Sequence, residues 1–342
     1  MSKLLITGGS GFIGSALVRN AIKAGNKVCN IDALTYSGRI ENNASVASCP
    51  NYTFIKENIC NQEQLSKIFH DFQPDYIYHL AAESHVDRSI ENAKTFIDTN
   101  IIGTYNLLEV SLEYWKSNSR DNKFRFLQVS TDEVYGSNTE LGGFTEERKY
   151  NPSNPYSASK AAADHLATAW FKTYGLPVII TNTSNNFGPF QYPEKLIPII
   201  IISALTGQKI PIYGSGENIR DWIYVEEHAE ALLNVACRGN VGARYNIGAT
   251  NEKGNIELAK SICNILDELV PKSRPYAEQI CFVTDRPGHD QRYSIDATKI
   301  KKELGWSSKI SFDSALRKTV EWYLQNESWW RPMSETRRKE IK

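Results

Sequence analysis

The chain has 342 residues, and its 39 Lys and Arg residues balance 39 Asp and Glu residues, so the formal net charge is zero. A neutral chain of this length can bury a large core but exerts no bulk attraction on nucleic acid or anionic membranes, so we expect neither partner. Six cysteines lack CxxC spacing, which indicates reduced thiols in a cytoplasmic protein without a metal site.

Strands and helices alternate along the first half of the chain. Apolar runs predict strands at 3–7, 27–32, 52–55, 75–80, 124–130 and 177–183, and helical periodicity predicts helices at 12–24, 62–72, 96–115 and 155–174. Strict alternation indicates right-handed crossovers and an α/β fold with a doubly wound parallel sheet, a Rossmann fold. Beyond about Asn185 the alternation loosens. We predict a main domain over 1–184 and a smaller C-terminal lobe over 185–342, parts of which return to the main domain.

The most apolar stretch of the chain runs from Leu196 to Leu205. It is about half as long as a membrane span requires, so it is predicted to be a buried helix. The first residues run directly into a strand and do not resemble a signal peptide.

A glycine-rich turn separates the first strand from the first helix. Gly8 permits the tight turn, Gly11 lets the backbone approach a pyrophosphate, and Gly14 lets the helix pack close to the sheet. Asp32 ends the second strand, where it can accept hydrogen bonds from a ribose diol and repel a 2′-phosphate. A structural turn with a capping acid is the alternative. The position of both features after strands favours a site for NAD.

Small residues follow the fourth predicted strand, at Leu80, Ala81 and Ala82. They would let a cofactor lie flat against the strand end, where ligands bind in open α/β sheets. His85 nearby is interpreted as a structural residue without chemistry.

Two carboxyl groups follow the fifth strand. Ser130 and Thr131 end that strand, so their hydroxyls should face the crevice, and Thr131 could hydrogen-bond a sugar hydroxyl. Asp132 and Glu133 could then supply an acid and a base. The alternative is an ordinary exposed acidic turn, but the position at a strand end favours chemistry.

Tyr156 and Lys160 lie four positions apart on a predicted helix and so project from one face. An ammonium beside a phenol favours the phenolate, so we expect Tyr156 to take a proton from a sugar hydroxyl near neutral pH. The YxxxK pattern alone is common, and its position after the fifth strand gives it weight. A simple dehydrogenase would not need Asp132 and Glu133, so the combination indicates a sugar dehydratase.

These motifs carry a family resemblance. The chain resembles the extended short-chain dehydrogenases/reductases and, among them, the NAD-dependent dTDP-glucose 4,6-dehydratases. The matching segments are TGGSGFIGS, HLAAESHVDRSI, STDEVYG, PYSASK, NNFGPFQYPEKLIP, RDWIYVEEH and DRPGHDQRYSID. The resemblance implies that Asp132 is the general acid, Glu133 the general base, and Tyr156 the base for oxidation at carbon 4 of dTDP-glucose.

The resemblance also implies the ligand contacts. The cofactor contacts carried over are Phe12, Ile13, Asp32, Ala33, Leu34, Thr35, Asn58, Ile59, Ala81, Ala82, Ser84, Thr99, Tyr156, Lys160 and Asn186. The nucleotide-sugar contacts carried over are Ser84, Thr131, Asn185, Lys195, Leu196, Pro211, Ile212, Tyr213, Arg220, Asn255, Asp285, Arg286, Pro287, Gly288 and His289. Lys195, Arg220 and Arg286 have the charge to meet a diphosphate. Asn58 departs from the family pattern, which usually has Asp at the adenine.

Other functions fit parts of this pattern. A 4,6-dehydratase for UDP- or CDP-glucose would share the chemistry, a 4-epimerase would share the cofactor site and YxxxK, and a regulatory NAD-binding protein would share the fold. The resemblance further implies a homodimer through the helices near 101–115 and 156–174. Their apolar residues could equally be ordinary core. They are Leu107, Leu108, Leu112, Trp115, Leu166, Trp170 and Phe171.

Overall fold

The structure is a computed structural model that describes residues 1–138, 142–285 and 289–340, with side chains as far as Ser334. The strands are β1 (Lys3–Thr7), β2 (Lys27–Asp32), β3 (Tyr52–Lys56), β4 (Tyr76–His79), β5 (Arg125–Thr131), β6 (Val178–Thr183), β7 (Asn185–Phe187), β8 (Ile210–Tyr213), β9 (Ile219–Tyr224), β10 (Arg244–Ile247), β11 (Glu252–Gly254), β12 (Ile280–Val283) and β13 (Arg292–Tyr293). The helices are α1 (Phe12–Lys23), α2 (Gln62–Phe72), α3 (Val86–Glu91), α4 (Ala93–Phe96), α5 (Thr104–Ser117), α6 (Pro155–Tyr174), α7 (Leu196–Leu205), α8 (Val225–Arg238), α9 (Asn255–Leu269), α10 (Thr298–Leu304), α11 (Phe312–Gln325) and α12 (Glu327–Glu340).

A seven-stranded sheet lies at the centre of the molecule, in the order β10-β6-β5-β4-β1-β2-β3. Every neighbouring pair in it is parallel. Apart from the edge strand β3, its strands are buried almost throughout because helices cover both faces, which is the environment that continuous apolar runs predict. The predicted doubly wound fold is confirmed.

Each face of the sheet has its own apolar core. On one face α1, α8 and α10 pack together, with Leu17 and Leu232 fully buried. On the other face α2, α5 and α6 pack together, with Leu65, Leu108 and Ala167 fully buried. Strand β10 and helix α8 lie beyond residue 185, yet they complete the large sheet and one of its helical layers.

The remaining elements form a smaller lobe. In it β9 pairs with β7, β11 and β13, and β8 pairs with β12. Helices α7, α9, α11 and α12 bury a separate core around Ile200 and Trp330. The segment Leu196–Leu205 is the buried helix α7, as predicted. No helix of the described ranges is long and apolar enough to cross a membrane.

The helix predicted over 96–115 is divided in the structure. Helix α4 ends at Phe96, a π-helical turn runs over Ile97–Gly103, and α5 starts at Thr104. The wide turn lets Asn100 reach the loop after β4, where its side chain accepts from the Glu83 amide at 2.9 Å and donates to the Ser159 hydroxyl at 2.9 Å. Such π-turns often occur at functional sites, and this one lies beside the cavity described next.

Candidate active site

The glycine-rich turn forms a cradle at the carboxyl end of β1. Gly8 has φ +73°, and a Cβ atom there would lie 2.7 Å from the Ala81 nitrogen. A Cβ at Gly14 would lie 2.1 Å from the Gly8 carbonyl oxygen. Helix α1 begins at Phe12, directly after this turn, so its first N–H groups have no partner within the helix. Both glycines also line the cavity that lies beside the turn. The cradle therefore fits a dinucleotide phosphate.

Asp32 joins the cradle to the end of β2. Its carboxylate accepts from the Ser10 amide at 2.9 Å and from the Leu34 amide at 2.8 Å. Burial raises the pKa of Asp32, and these two amides act in the opposite direction. The carboxylate thus shapes the turn while it also borders the cavity.

A cavity of about 310 Å³ extends from the glycine turn to the end of β5. Of the predicted cofactor residues, Leu34 alone is missing from its lining. The predicted cofactor residues that line it are Gly8, Gly11, Phe12, Ile13, Gly14, Asp32, Ala33, Thr35, Asn58, Ile59, Leu80, Ala81, Ala82, Ser84, Thr99, Tyr156, Lys160 and Asn186. The fold brings these segments together because parallel strands end at the same edge of the sheet.

The predicted reactive residues meet at the far end of this cavity. Thr131 ends β5, and its hydroxyl accepts from the Glu133 amide at 3.2 Å and lies 3.3 Å from an Asp132 carboxylate oxygen. Tyr156 and Lys160 lie in the first turns of α6, which Asn154 starts with a capping box. All five predicted catalytic residues line the same cavity.

Asp132 has the surroundings of a protonated acid. Its side chain is buried, and one of its carboxylate oxygens has no hydrogen-bond partner among the described atoms. Burial raises the pKa of Asp132 well above its ordinary value, and the charges of Glu133 and Asp221 raise it further, while Arg220 opposes them. A carboxyl group that keeps its proton can donate it to a leaving hydroxyl.

The surroundings of Tyr156 act against the phenolate in this structure, and the effect expected of Lys160 stays a prediction. Burial raises the pKa of the Tyr156 phenol, as do the charges of Glu133 and Asp132, and only a hydrogen bond with Thr131 lowers it among the main causes. The Lys160 ammonium donates to the Val129 carbonyl oxygen at 2.8 Å. Burial and the Glu133 carboxylate therefore act against the phenolate, and the hydrogen bond with Thr131 favours it.

Asp164 was missed by sequence reasoning, although its spacing four residues after Lys160 could have revealed it. It is fully buried and accepts from the Ser130 hydroxyl at 2.6 Å and the Tyr150 hydroxyl at 2.8 Å. The Ser130 hydroxyl, expected to face the crevice, is therefore engaged by Asp164. Burial lowers the pKa of Lys160 and Asp164 raises it, so this carboxylate supports the charge on the ammonium.

Glu194 is a second residue of the site that sequence reasoning missed. It lines the cavity, is buried, and accepts from the Tyr36 hydroxyl at 2.9 Å. Its only signal in the sequence was its place in the segment NNFGPFQYPEKLIP. Because Tyr36 follows β2 and Glu194 precedes α7, their contact joins the cofactor side of the cavity to the smaller lobe.

The predicted substrate residues divide into two groups. Ser84, Thr131, Asn185 and Lys195 line the cavity, and the Lys195 ammonium donates to the Ser84 carbonyl oxygen at 2.9 Å. The second group does not belong to its lining. These residues are Leu196, Pro211, Ile212, Tyr213, Arg220, Asn255, Asp285 and His289. Arg286, Pro287 and Gly288 lie outside the described residues.

Part of the second group still forms a connected surface. The His289 and Tyr213 rings are 6.3 Å apart, and His289 Nδ1 lies 2.6 Å from an Asp285 carboxylate oxygen. Arg220 is buried, donates to the Asp290 carbonyl oxygen at 2.9 Å, and lies over the Tyr293 ring. Arg220 therefore braces the loop around Asp290 in addition to its influence on Asp132.

Comparisons with known proteins agree with this geometry. The family model for GDP-mannose 4,6 dehydratase matches residues 5–319. The dTDP-glucose 4,6-dehydratase of Salmonella typhimurium is 54% identical over 339 residues, which cover 96% of this chain and 94% of that protein.

Two solved structures extend the comparison. The dTDP-glucose 4,6-dehydratase of Bacillus anthracis in complex with NAD has a TM-score of 0.87 and 45% identity, and the match covers 97% of this chain and 100% of that one. The dTDP-glucose 4,6-dehydratase of Streptomyces venezuelae, with NAD and dTDP bound, has a TM-score of 0.89 and 40% identity over 97% of this chain and 99% of that one. The chain therefore belongs to the GDP-mannose 4,6 dehydratase family and, within it, to the dTDP-glucose 4,6-dehydratases.

Proposed function

We propose that this chain is an NAD-dependent dTDP-glucose 4,6-dehydratase, a hydro-lyase that converts dTDP-glucose to dTDP-4-keto-6-deoxyglucose and water. The observation that carries the proposal is the pair Asp132 and Glu133 beside Tyr156, in one cavity with the dinucleotide cradle. A 4-epimerase needs no acid that keeps its proton, whereas elimination of a hydroxyl does. Relatives more than 50% identical over nearly the whole chain are dTDP-glucose 4,6-dehydratases.

The first step is oxidation at carbon 4. Gly8, Gly14 and Asp32 would hold the dinucleotide. Tyr156 reacts as its phenolate, which the hydrogen bond with Thr131 favours, and takes the proton of the 4-hydroxyl. Bound NAD supplies the hydride chemistry of the reaction, in which the hydride that leaves carbon 4 is kept and returned at carbon 6. The cofactor is regenerated in each turnover, so it can stay bound.

The second step is loss of water. The ketone at carbon 4 makes the proton on carbon 5 acidic, and Glu133 removes that proton. The bond between carbon 6 and its hydroxyl oxygen breaks, and Asp132 gives its proton to the departing oxygen, which leaves as water. When the hydride returns to carbon 6, Glu133 gives its proton back to carbon 5. The proton that Tyr156 took from the 4-hydroxyl then restores Asp132. Burial and the neighbouring charge of Glu133 keep that proton on Asp132 until it is needed.

Mass spectrometry tests the proposal directly. Purified protein is incubated with dTDP-, UDP- and CDP-glucose, with and without added NAD. Loss of one water from the dTDP sugar alone is expected. Loss from another nucleotide sugar would keep the mechanism but change the substrate. An unchanged mass with all three sugars, with NAD supplied, would overturn the dehydratase and favour an epimerase or a regulatory protein.

We further propose that the protein acts as a cytoplasmic homodimer. All six cysteines are free, which suits a reducing compartment. Leu107, Leu108, Leu112 and Trp115 are buried core residues and so are not the dimer surface.

A different apolar surface near α5 and α6 supports the dimer. The exposed side chains that form it, with partly buried Trp170 beside them, are Ile97, Ile102, Tyr105 and Tyr174. Large exposed apolar patches mark interaction sites. Light scattering should give a dimer for the wild type and a monomer for Tyr105→Glu, and a wild-type monomer would refute this part.

A further inference from the structure

Two buried asparagines hold the outer side of the glycine-rich turn. Asn42 Nδ2 donates to the Ser10 carbonyl oxygen at 2.9 Å, and Asn43 Nδ2 donates to the Gly9 carbonyl oxygen at 2.7 Å. Both side chains are 1% exposed, and both lie on the short 3₁₀ turn Ile40–Val46. Because a peptide group is planar, an amide that holds a carbonyl outward also sets the direction of the N–H group behind it. These N–H groups belong to Gly11 and Ser10, and they donate to the Gly8 carbonyl oxygen at 3.1 Å and to the Asp32 carboxylate at 2.9 Å. The asparagines therefore help to shape the cradle.

The C-terminal helix reaches one of these asparagines. The Trp329 indole Nε1, on α12, donates to Asn42 Oδ1 at 3.0 Å across 287 positions of sequence. Arg19, on α1, donates to the Asn42 carbonyl oxygen at 2.9 Å and lies over the Phe190 ring. The Trp329 ring is 5.7 Å from the same Phe190 ring. Asn42 is thus held by groups from three separate parts of the chain.

The indole N–H fixes which way the Asn42 amide points. Indole is a donor only, and the Ser10 carbonyl is an acceptor only, so the amide can satisfy both in one orientation. A rotated amide would place two donors together at Trp329 and two acceptors together at Ser10. Without the indole N–H, only one of these two constraints would remain.

We propose that Trp329 and Asn42 form a latch by which the C-terminal helix keeps the glycine turn in its binding shape and slows release of NAD. This inference rests on the proposed function, since it takes NAD as the ligand. Neither side chain lines the cavity, so both are positioning residues. A reaction that returns its hydride in each turnover gains from a cofactor that does not leave.

The structure offers a matched control for the latch. Trp330 is the next residue on α12, and its indole donates to the Tyr323 carbonyl oxygen at 2.8 Å, inside the core of the smaller lobe. Trp329→Phe and Trp330→Phe each keep an aromatic ring and lose one indole hydrogen bond. Only the first loses a hydrogen bond to Asn42, the residue that holds the glycine turn, whereas a general loss of stability should affect both variants alike.

The test measures release of NAD from the full chain. Wild type, Trp329→Phe and Trp330→Phe are loaded with NAD, diluted into excess deuterated NAD, and sampled for the bound unlabelled cofactor. We expect release from Trp329→Phe to be about three- to tenfold faster, as for the loss of one neutral hydrogen bond, with Trp330→Phe close to wild type. Equal rates for the two variants would overturn the latch. A wild type that binds no NAD would overturn the proposed function and the latch together.

Asn42→Asp provides a second variant. Aspartate keeps an acceptor for Trp329 but places an acceptor against the Ser10 carbonyl oxygen, where Asn42 now donates. Release of NAD should be faster than from Trp329→Phe. In Trp329→Phe the Asn42 amide only becomes free to rotate, whereas in Asn42→Asp the contact with the Ser10 carbonyl oxygen becomes repulsive. Release as slow as that of the wild type would show that Asn42 does not control the turn.

Discussion

The two sides of the cavity are built in different ways. On the cofactor side, backbone groups make the site, and the contacts that a Cβ would meet at Gly8 and Gly14 are backbone atoms. On the reactive side, single side chains such as Glu133 and Lys195 make the site. Where backbone atoms pack this closely, any side chain larger than that of glycine disturbs the whole cofactor site. Where single side chains make the site, a substitution can remove one chemical role and leave the others. The following variants test this difference.

Glu133→Gln should have the largest effect on turnover. An amide cannot accept the carbon 5 proton, so dehydration should fall by about 10²- to 10⁴-fold. Oxidation at carbon 4 should survive because Tyr156 and the cradle are unchanged. The absorbance of NADH that forms in a single turnover measures oxidation, and mass spectrometry measures water loss. Equal loss of both steps would contradict the separate role of Glu133.

Gly8→Ala should weaken NAD binding by distorting the cofactor side of the cavity. Its Cβ would lie 2.7 Å from the nitrogen and 2.8 Å from the Cα of Ala81, and backbone at a strand end cannot easily give way. We expect NAD to bind about 100-fold more weakly, measured by calorimetry. Gly25→Ala is the control, since Gly25 has φ +81° but no described atom within 4 Å of its Cβ position. Similar NAD binding by both variants would show that the close approach at Gly8 does not matter.

The difference between the cofactor side and the reactive side also explains which parts of the site could be predicted from the sequence. The cofactor side follows from local signals, because a strand, a glycine turn and a helix are neighbours along the chain, and β1, β2 and α6 begin at the predicted residues. The reactive side depends on distant pairings. Asp221 acts on Asp132 only because β9 pairs with β7 beside the end of β6, and no periodicity reveals that pairing. The π-turn that contains Asn100 also arises from tertiary contacts, since its residues read as ordinary helix.

Asp132→Asn should change how the free energy of unfolding depends on pH. The folded-state pKa of Asp132 is raised from 3.8, so wild type loses stability as pH rises from the unfolded value through the folded one. Asparagine does not titrate. The free energy of unfolding of the variant should therefore rise relative to that of the wild type by at most about 1.4 kcal/mol for each pH unit in that window. Urea unfolding at several pH values measures the gain. A constant difference from acid to neutral pH would mean that Asp132 is not held protonated.

Asp164→Asn should give the smallest change and the most specific one. Asparagine can still accept from Ser130 and Tyr150 but removes the charge that raises the pKa of Lys160, while the Arg244 guanidinium near Asp164 remains. The alkaline limb of the kcat profile should therefore move to lower pH, with about a three- to tenfold loss there and little change at neutral pH. Ser130→Ala loses one of these hydrogen bonds but keeps the charge, so its alkaline limb should stay in place. An unshifted limb in Asp164→Asn would mean that burial keeps Asp164 neutral, and the ammonium of Lys160 would then depend on the Val129 carbonyl oxygen alone.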